Sequence, residues 1–330
     1  MKSLLQQLFN HHTLDYQTAK DTLINISKGD YNNSQITSFL TVFRMRSITL
    51  EEIRGFRDAL LELCRAIDLS EFNAVDLCGT GGDGKDTFNV STLASFVTAG
   101  AGVKVAKHGN YGVSSSCGSS NVMEHLGYQF TNDADKLKKQ IDKANICFLH
   151  APLFHPAMKN VAPIRKEMGV KTFFNMLGPM VNPSFPKNQI VGVFSLELQR
   201  LYQYLYQQSG KRFVILHALD GYDEISLTGK VKVITNESET IRRPEDFGMN
   251  QVKQSDLYGG TTVPEAATIF MNILTNKGTT VQQQVVATNA GMAISCSRPD
   301  LNLKDSIALA KESLESGKAL KSFETLIATT

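Results

Sequence analysis

Long apolar runs are missing from this 330-residue chain. The longest mostly apolar stretch, Leu93 to Ala106, is broken by Gly100, Gly102 and Lys104 and is too short to span a bilayer. Excess charge is missing too. The net charge of +2 makes no electrostatic case for nucleic acid or an anionic membrane as the main partner, so any anion site must be local. The five cysteines (Cys64, Cys78, Cys117, Cys147 and Cys296) are scattered and form no C-x-x-C pair. That excludes a disulfide framework or zinc site as the first reading and fits a reducing compartment. The opening MKSLLQQLFNHH lacks the apolar core of a signal peptide, so a soluble cytoplasmic protein is expected. Internal repeats, low-complexity tracts and long linkers are also lacking.

What is present is a composition of 42% apolar and 20% charged residues, enough for a sizeable core. The first seventy or so residues read as helices only. Apolar residues recur at helical spacing through Leu14–Ile26 and Ile36–Val42, Gly29 is a stop signal, and Thr49 with Glu52 forms a capping-box pattern ahead of Ile53–Leu63. From Asn73 onward, AVDL, VKVA, ICFL, IVGVF and RFVIL are short strand-like runs separated by helix-like segments. Such alternation implies an α/β fold with a largely parallel sheet. ISLTGKVKVIT (Ile225 to Thr235) reads as a hairpin around Thr228-Gly229, and Thr262-x-x-Glu265 and Thr280-x-x-Gln283 as two further capping boxes. The expected organisation is a small helical domain over 1–72, joined in space by part of 156–185, and a large α/β domain over 73–330.

DLCGTGGDGKDTFNVST places Gly79, Gly81, Gly82 and Gly84 between a strand and a helix. Bare amides and a helix dipole at such a loop attract phosphate, and glycine is needed where backbone nears a ligand or takes positive φ. Thr80, Thr87, Ser91 and Thr92 add hydroxyls, and Asn89-Val90-Ser91-Thr92 should open the helix, capping it or binding the anion. The Walker pattern, with its terminal G-K-[ST], is absent. Asp83 fits poorly in a bare phosphate cradle but suits a sugar hydroxyl or a metal. A second loop, KHGNYGVSSSCGSS, puts Lys107 at a strand end, where open α/β sheets bind ligands, with Ser114, Ser115, Ser116 and Ser119 following. At Asp220-Gly221-Tyr222-Asp223-Glu224, the Gly221 turn can bring two carboxylates together. Mg²⁺ suits such a pair because it keeps waters and takes one or two carboxylates plus substrate phosphates. Arg165, expected early in a helix where the dipole offers a cation nothing, hints at a carboxylate partner.

Four ordered motifs carry a resemblance over nearly the whole chain: GTGGDG-x-x-x-x-NVST, KHGN-x-x-x-SS-x-x-GS, HPAMK-x-VAPIRKEMGVKTFFNMLGP and DGYDEIS. Together with QITSFLTVFR in the helical start, they resemble anthranilate phosphoribosyltransferase. The resemblance implies the nucleoside phosphorylase/phosphoribosyltransferase class of fold and Mg²⁺, one or two per subunit. It also implies transfer of the phosphoribosyl group of phosphoribosyl pyrophosphate (PRPP) to the amine of anthranilate, in tryptophan biosynthesis. Homodimers are implied, with the apolar helical start as the expected contact surface. For PRPP it implies Gly79, Thr80, Gly81, Gly82, Asp83, Thr87, Asn89, Val90, Ser91, Thr92, Lys107, Ser114, Ser115 and Ser119. For anthranilate it implies Gly79, His108, Asn110 and Arg165, and for the metal Ser91, Asp223 and Glu224.

No nucleophile–base pair is in evidence, which favours catalysis by positioning and charge stabilisation, with Lys107 and Asp83 acting electrostatically. Three positions depart from the family pattern. Tyr111 stands where an arginine is expected, Ser116-Cys117 replaces Lys-Ser, and Asn121 replaces an acidic residue; the lost cations should weaken PRPP binding. Two rivals remain open: a pyrimidine nucleoside phosphorylase-like enzyme, and a non-enzymatic nucleic-acid-binding relative.

Overall fold

Asp15 accepts a hydrogen bond from the Thr18 amide, and Asn32–Gln35 and Thr49–Glu52 form reciprocal capping boxes. These caps start three of the four N-terminal helices, α1 (Lys2–Phe9), α2 (Tyr16–Lys28), α3 (Asn33–Met45) and α4 (Leu50–Leu63). The structure, a computed structural model, describes residues 1–112 and 117–329. It divides into two units: Met1–Ile67 with Ala151–Pro183, and Asp68–His150 with Ser184–Thr330.

In the first unit, Gly29 ends α2 in the left-handed region (φ 83°), where glycine is favoured. A side chain at Gly55 of α4 would strike the Tyr16 carbonyl and Ala19 of α2, so glycine permits this close helix approach. The return segment bonds its backbone to the end of α4, through Arg65 N to Phe154 O (2.8 Å) and Ile67 N to Pro183 O (3.0 Å). It also contributes Phe173, which stacks on Phe56 at 4.4 Å and meets Phe39 and Phe43 edge-on. Such aromatic pairs add about 0.5–1.5 kcal/mol each beyond their buried area.

The second unit is built on a seven-stranded sheet in the order β3-β2-β1-β4-β5-β6-β7. The strands are β1 (Val75–Gly79), β2 (Val105–Gly109), β3 (Ile146–His150), β4 (Asn188–Gly192), β5 (Arg212–Ala218), β6 (Val231–Thr235) and β7 (Glu239–Arg242). The first five run parallel; β6 and β7 add antiparallel. Every residue of β3 and β4 is buried, as a parallel sheet covered on both faces requires. The helix Thr280–Ser297 is buried at every residue from Val285 to Ile294 and lies in the core of this unit.

Each β-branched run read from the sequence is a strand, but three local expectations change. The hairpin lies at β6 and β7, not around Thr228-Gly229. There the Ser226 and Thr228 hydroxyls bond each other, Thr228 donates to Asp220, and Leu227 takes φ 60°, so the backbone turns where a strand was expected. The later capping box uses Thr279 and Gln282, one residue before the expected pair, because TTVQQQ satisfies the pattern in both registers. The helix Val90–Gly100 begins at Asn89 without a side-chain cap; the Asn89 amide instead reaches Cys117 O.

The sheet order reverses on either side of β1, with β2 and β3 to one side and β4 and β5 to the other. Open α/β sheets bind ligands beyond the carboxyl ends of strands at such a point. Here Gly79 and Gly192, paired in register, are the two strand ends.

Candidate active site

Both strand ends are glycine because another part of the chain needs the space. A side chain at Gly79 would meet the Asp223 carboxylate, and one at Gly192 would meet the Asp223 backbone. Beyond β1, Thr80 N donates to Gly192 O (2.9 Å) and Gly81 N to Asp223 Oδ2 (2.6 Å). Gly81, Gly82 and Gly84 all take positive φ (63°, 76° and 73°). The hydroxyls of Thr80 and Thr92 are buried without a partner among the described residues. A polar group left in that state is costly unless a ligand completes it. Farther along, Thr87 bridges to Tyr258, while Phe88 N donates to Leu257 O (3.1 Å) and Gly259 N to Asp86 O (2.8 Å). The 257–259 segment thus pins the loop just before its helix.

The acidic turn is folded by Gly221, whose φ of 104° only glycine tolerates well, and by Ala218 N donating to Tyr222 O. Asn289 then clamps Ile225 from both sides, accepting from its amide (3.0 Å) and donating to its carbonyl (2.9 Å). The result is three carboxyl groups in one corner. Burial, then the nearby Asp83, pushes Asp223 up to about 7. Burial, then Asp223 and Asp83, holds Glu224 well above the usual carboxylate range, although the Ser91 amide and the Lys107 ammonium both favour its charge. Burial raises Asp83 as well, against the opposing effect of the Lys85 amide. A small cleft opens here, lined among others by Gly79, Ser91, Gly192, Asp223, Glu224 and Asn289.

This donor set fits a divalent cation. Mutually repelling, desolvated carboxylates are relieved by a cation between them, and Ser91 and Glu224 both line the cleft. Among the described residues, no three His, Cys, Asp or Glu side chains form a ready metal cage. The pair Asp223 and Glu224 suits Mg²⁺, which prefers one or two carboxylates with water and phosphate completing its shell.

At the end of β2, Lys107 is buried (2% exposed), so it is not a solvated surface lysine. Its Nζ donates to Leu77 O (2.7 Å), and burial lowers its pKa against the opposing pull of Cys78, Asp76 and Glu224. His108 is also buried. The Asn110 carbonyl accepts from Ser119 Oγ (3.2 Å) and Ser120 N (3.1 Å). Asn121 Oδ1 accepts from both Gly112 N (2.9 Å) and Gly118 N (3.0 Å). Tyr111 sets its ring edge against His150 at 4.8 Å and its hydroxyl on Glu124. Ser114, Ser115 and Ser116 lie outside the described residues.

In the helical unit, Arg165 sits in the last turn of a short helix, Ala162–Met168, not early in a longer one. The dipole argument therefore fails, and burial supplies a better one. Arg165 donates to Asn175 Oδ1 (3.1 Å) and lies over the Phe174 ring. Its Nε is buried without a partner among the described residues, and burial pulls its pKa down.

Sequence reasoning missed Asn289 and the 257–259 strap. Asn289 left a faint signal, an amide set within the mostly apolar run VVATNAGMAI. Tyr258 left none, because its pairing is long-range.

The chain matches two family models, the helical bundle domain of a glycosyl transferase family over residues 2–64 and its a/b domain over residues 71–320. It is 66% identical to an anthranilate phosphoribosyltransferase of Flavobacterium psychrophilum, over 99% of this chain and 98% of the relative. With that of Cytophaga hutchinsonii it shares 56% identity, over 99% and 100%. Among solved structures it is similar to the enzyme from Thermus thermophilus (31% identity, 98% of each chain, TM-score 0.90). It is also similar to the Saccharomyces cerevisiae enzyme in complex with PRPP and Mg (30% identity, 99% of this chain and 96% of that one, TM-score 0.89).

Proposed function

Because the chain belongs to the anthranilate phosphoribosyltransferase family, we propose how its residues divide the family's reaction between them. The chain transfers the phosphoribosyl group of PRPP to the amine of anthranilate. The bond from ribose C1 to the pyrophosphate oxygen breaks, a bond from C1 to the aniline nitrogen forms, and the amine gives up a proton. Mg²⁺ supplies charge neutralisation at the pyrophosphate.

The carrying observation is the acidic corner of Asp83, Asp223 and Glu224, facing the glycine loop at the point where the sheet order reverses. Asp223, Glu224 and Ser91 hold the metal in this reading. The amides of Gly79 to Gly82 and the free hydroxyls of Thr80 and Thr92 receive the phosphates, with Thr87, Asn89 and Val90 shaping the cradle. Lys107 contributes a buried positive charge to leaving-group stabilisation, worth more there than in water. Arg165 pairs with the anthranilate carboxylate, supported by its desolvated and incompletely bonded guanidinium. No side chain is needed as a covalent nucleophile.

The 66% identity to an anthranilate phosphoribosyltransferase disfavours the phosphorylase and nucleic-acid-binding readings. No helix among the described residues is long and apolar enough to cross a membrane. A cytoplasmic location and a homodimer through the N-terminal helices are part of the same proposal. The test is loss of anthranilate fluorescence on adding PRPP. Consumption that requires Mg²⁺ supports the reading, and no consumption with both present refutes it.

A further inference from the structure

β1 is flanked by parallel strands on both sides. With β4 it is registered over five positions, from Val75↔Asn188 to Gly79↔Gly192, and β2 is registered with β3 from Val105↔Ile146 to Gly109↔His150. Between β1 and β2 the strands are in register at Val75↔Val105. Past that point side chains bridge the two strands. Asp76 Oδ1 accepts the His108 amide (3.1 Å), and Lys107 Nζ donates to the Leu77 carbonyl (2.7 Å). The second oxygen of Asp76 accepts from Gln189 Nε2 on β4 (3.2 Å). Gln189 Oε1 accepts in turn from Tyr206 Oη (2.9 Å) and Lys211 Nζ (3.2 Å). Asp76 is fully buried, a charge of the kind that survives only when compensated.

We infer that Asp76 is a positioning residue: its carboxylate, anchored on β4 through Gln189, sets where β2 ends and so aims the Lys107-His108-Gly109-Asn110 turn at the substrate. The inference rests on the phosphoribosyl-transfer reading and sharpens it. The hydrogen-bond order is specific. An asparagine in place of Asp76 can still accept the His108 amide with its oxygen, but it turns an NH₂ group toward the NH₂ of Gln189. Adding Gln189→Glu to the same chain restores the donor–acceptor order. The introduced glutamate can accept from the introduced asparagine on one oxygen and from Tyr206 and Lys211 on the other. It also restores the net charge.

The test compares the wild-type chain, Asp76→Asn and the Asp76→Asn/Gln189→Glu pair by steady-state kinetics and by amide hydrogen exchange. A hydrogen bond to a charged group sets the scale. Asp76→Asn should raise the KM for PRPP roughly tenfold or more. Exchange should quicken at 107–110 while β4 and β5 stay protected. The double variant should recover most of both effects. The inference is overturned if Asp76→Asn leaves KM and exchange unchanged. Uniformly faster exchange across the sheet that the double variant does not correct also overturns it, since that is loss of stability alone. A wild-type chain inactive with PRPP and anthranilate would sink the functional reading and leave the exchange result to decide the inference by itself.

Discussion

Glu52 of the helical unit and Asp223 of the α/β unit are both buried carboxyl groups, and their surroundings treat them oppositely. In the helical unit, Glu52 is inaccessible to solvent yet fully served. It accepts from the amides of Leu14 and Thr49 and from both terminal nitrogens of Arg46. Burial raises its pKa, and those donors together outweigh burial, so the net shift is downward. In the α/β unit, Asp223 and Glu224 meet each other and Asp83, and their pKa values rise. The helical unit repeats the contrast in its cations: each leaves its Nε without a partner among the described residues, but Arg46 has a carboxylate while Arg165 has only the Asn175 amide oxygen. A buried charge with its partners in place fixes a fold. One without them marks where something else must bind.

The comparison can be broken most forcefully at Glu224. If the corner holds the metal, Glu224→Gln should lower kcat by two or more orders of magnitude at limiting Mg²⁺, since metal polarisation is worth several kcal/mol. The same change removes a repelling carboxylate, so the ligand-free variant should unfold at an equal or higher temperature than wild type. Glu52→Gln should do the reverse. Breaking a buried pair costs about 3–5 kcal/mol, so the thermal midpoint should fall by several degrees while KM and kcat of the folded enzyme hold.

Arg165→Ala should raise the KM for anthranilate roughly tenfold to a hundredfold, the equivalent of about 1.5–3 kcal/mol. An unchanged KM would remove it from the site. Thr49→Ala, which deletes only the hydroxyl side of a capping box, should cost about 1 kcal/mol in denaturant titration.

Acid and base should also separate the two units. Glu52 is depressed, so its contribution is complete above the ordinary glutamate value and lost as pH falls through its lower folded value. Asp223 is raised to about 7, so the ligand-free α/β unit is favoured while the corner keeps its protons. That advantage is lost as pH climbs from the ordinary carboxylate range through about 7. Hydrogen exchange followed against pH should therefore show the helical unit loosening toward acid and the acidic turn loosening toward neutrality.

Much of this was legible in the sequence, for physical reasons. Buried parallel strands must be apolar runs, so AVDL, VKVA, ICFL, IVGVF and RFVIL announced the sheet. Gly79 and Gly221 marked backbone that cannot carry a side chain, and Asp223-Glu224 marked excess negative charge. Local ambiguity defeated the rest. TTVQQQ offers two capping registers, and ISLTG has strand composition but is bent by the Asp220–Thr228 bond. Long-range partners left no local trace, neither Tyr258 on Thr87 nor the amide of His108 on Asp76. Tyr111 read as a lost cation; in the structure it packs on His150.

The central claim is that the acidic corner and the glycine loop bind Mg²⁺ and PRPP together. Thermal unfolding of wild type and of Asp223→Asn/Glu224→Gln, each with Mg²⁺ alone, PRPP alone and both, tests it most directly. The account predicts a midpoint raised by several degrees in wild type only when both ligands are present, and little or no joint effect in the double variant. Equal stabilisation of the two proteins by Mg²⁺ with PRPP would contradict it.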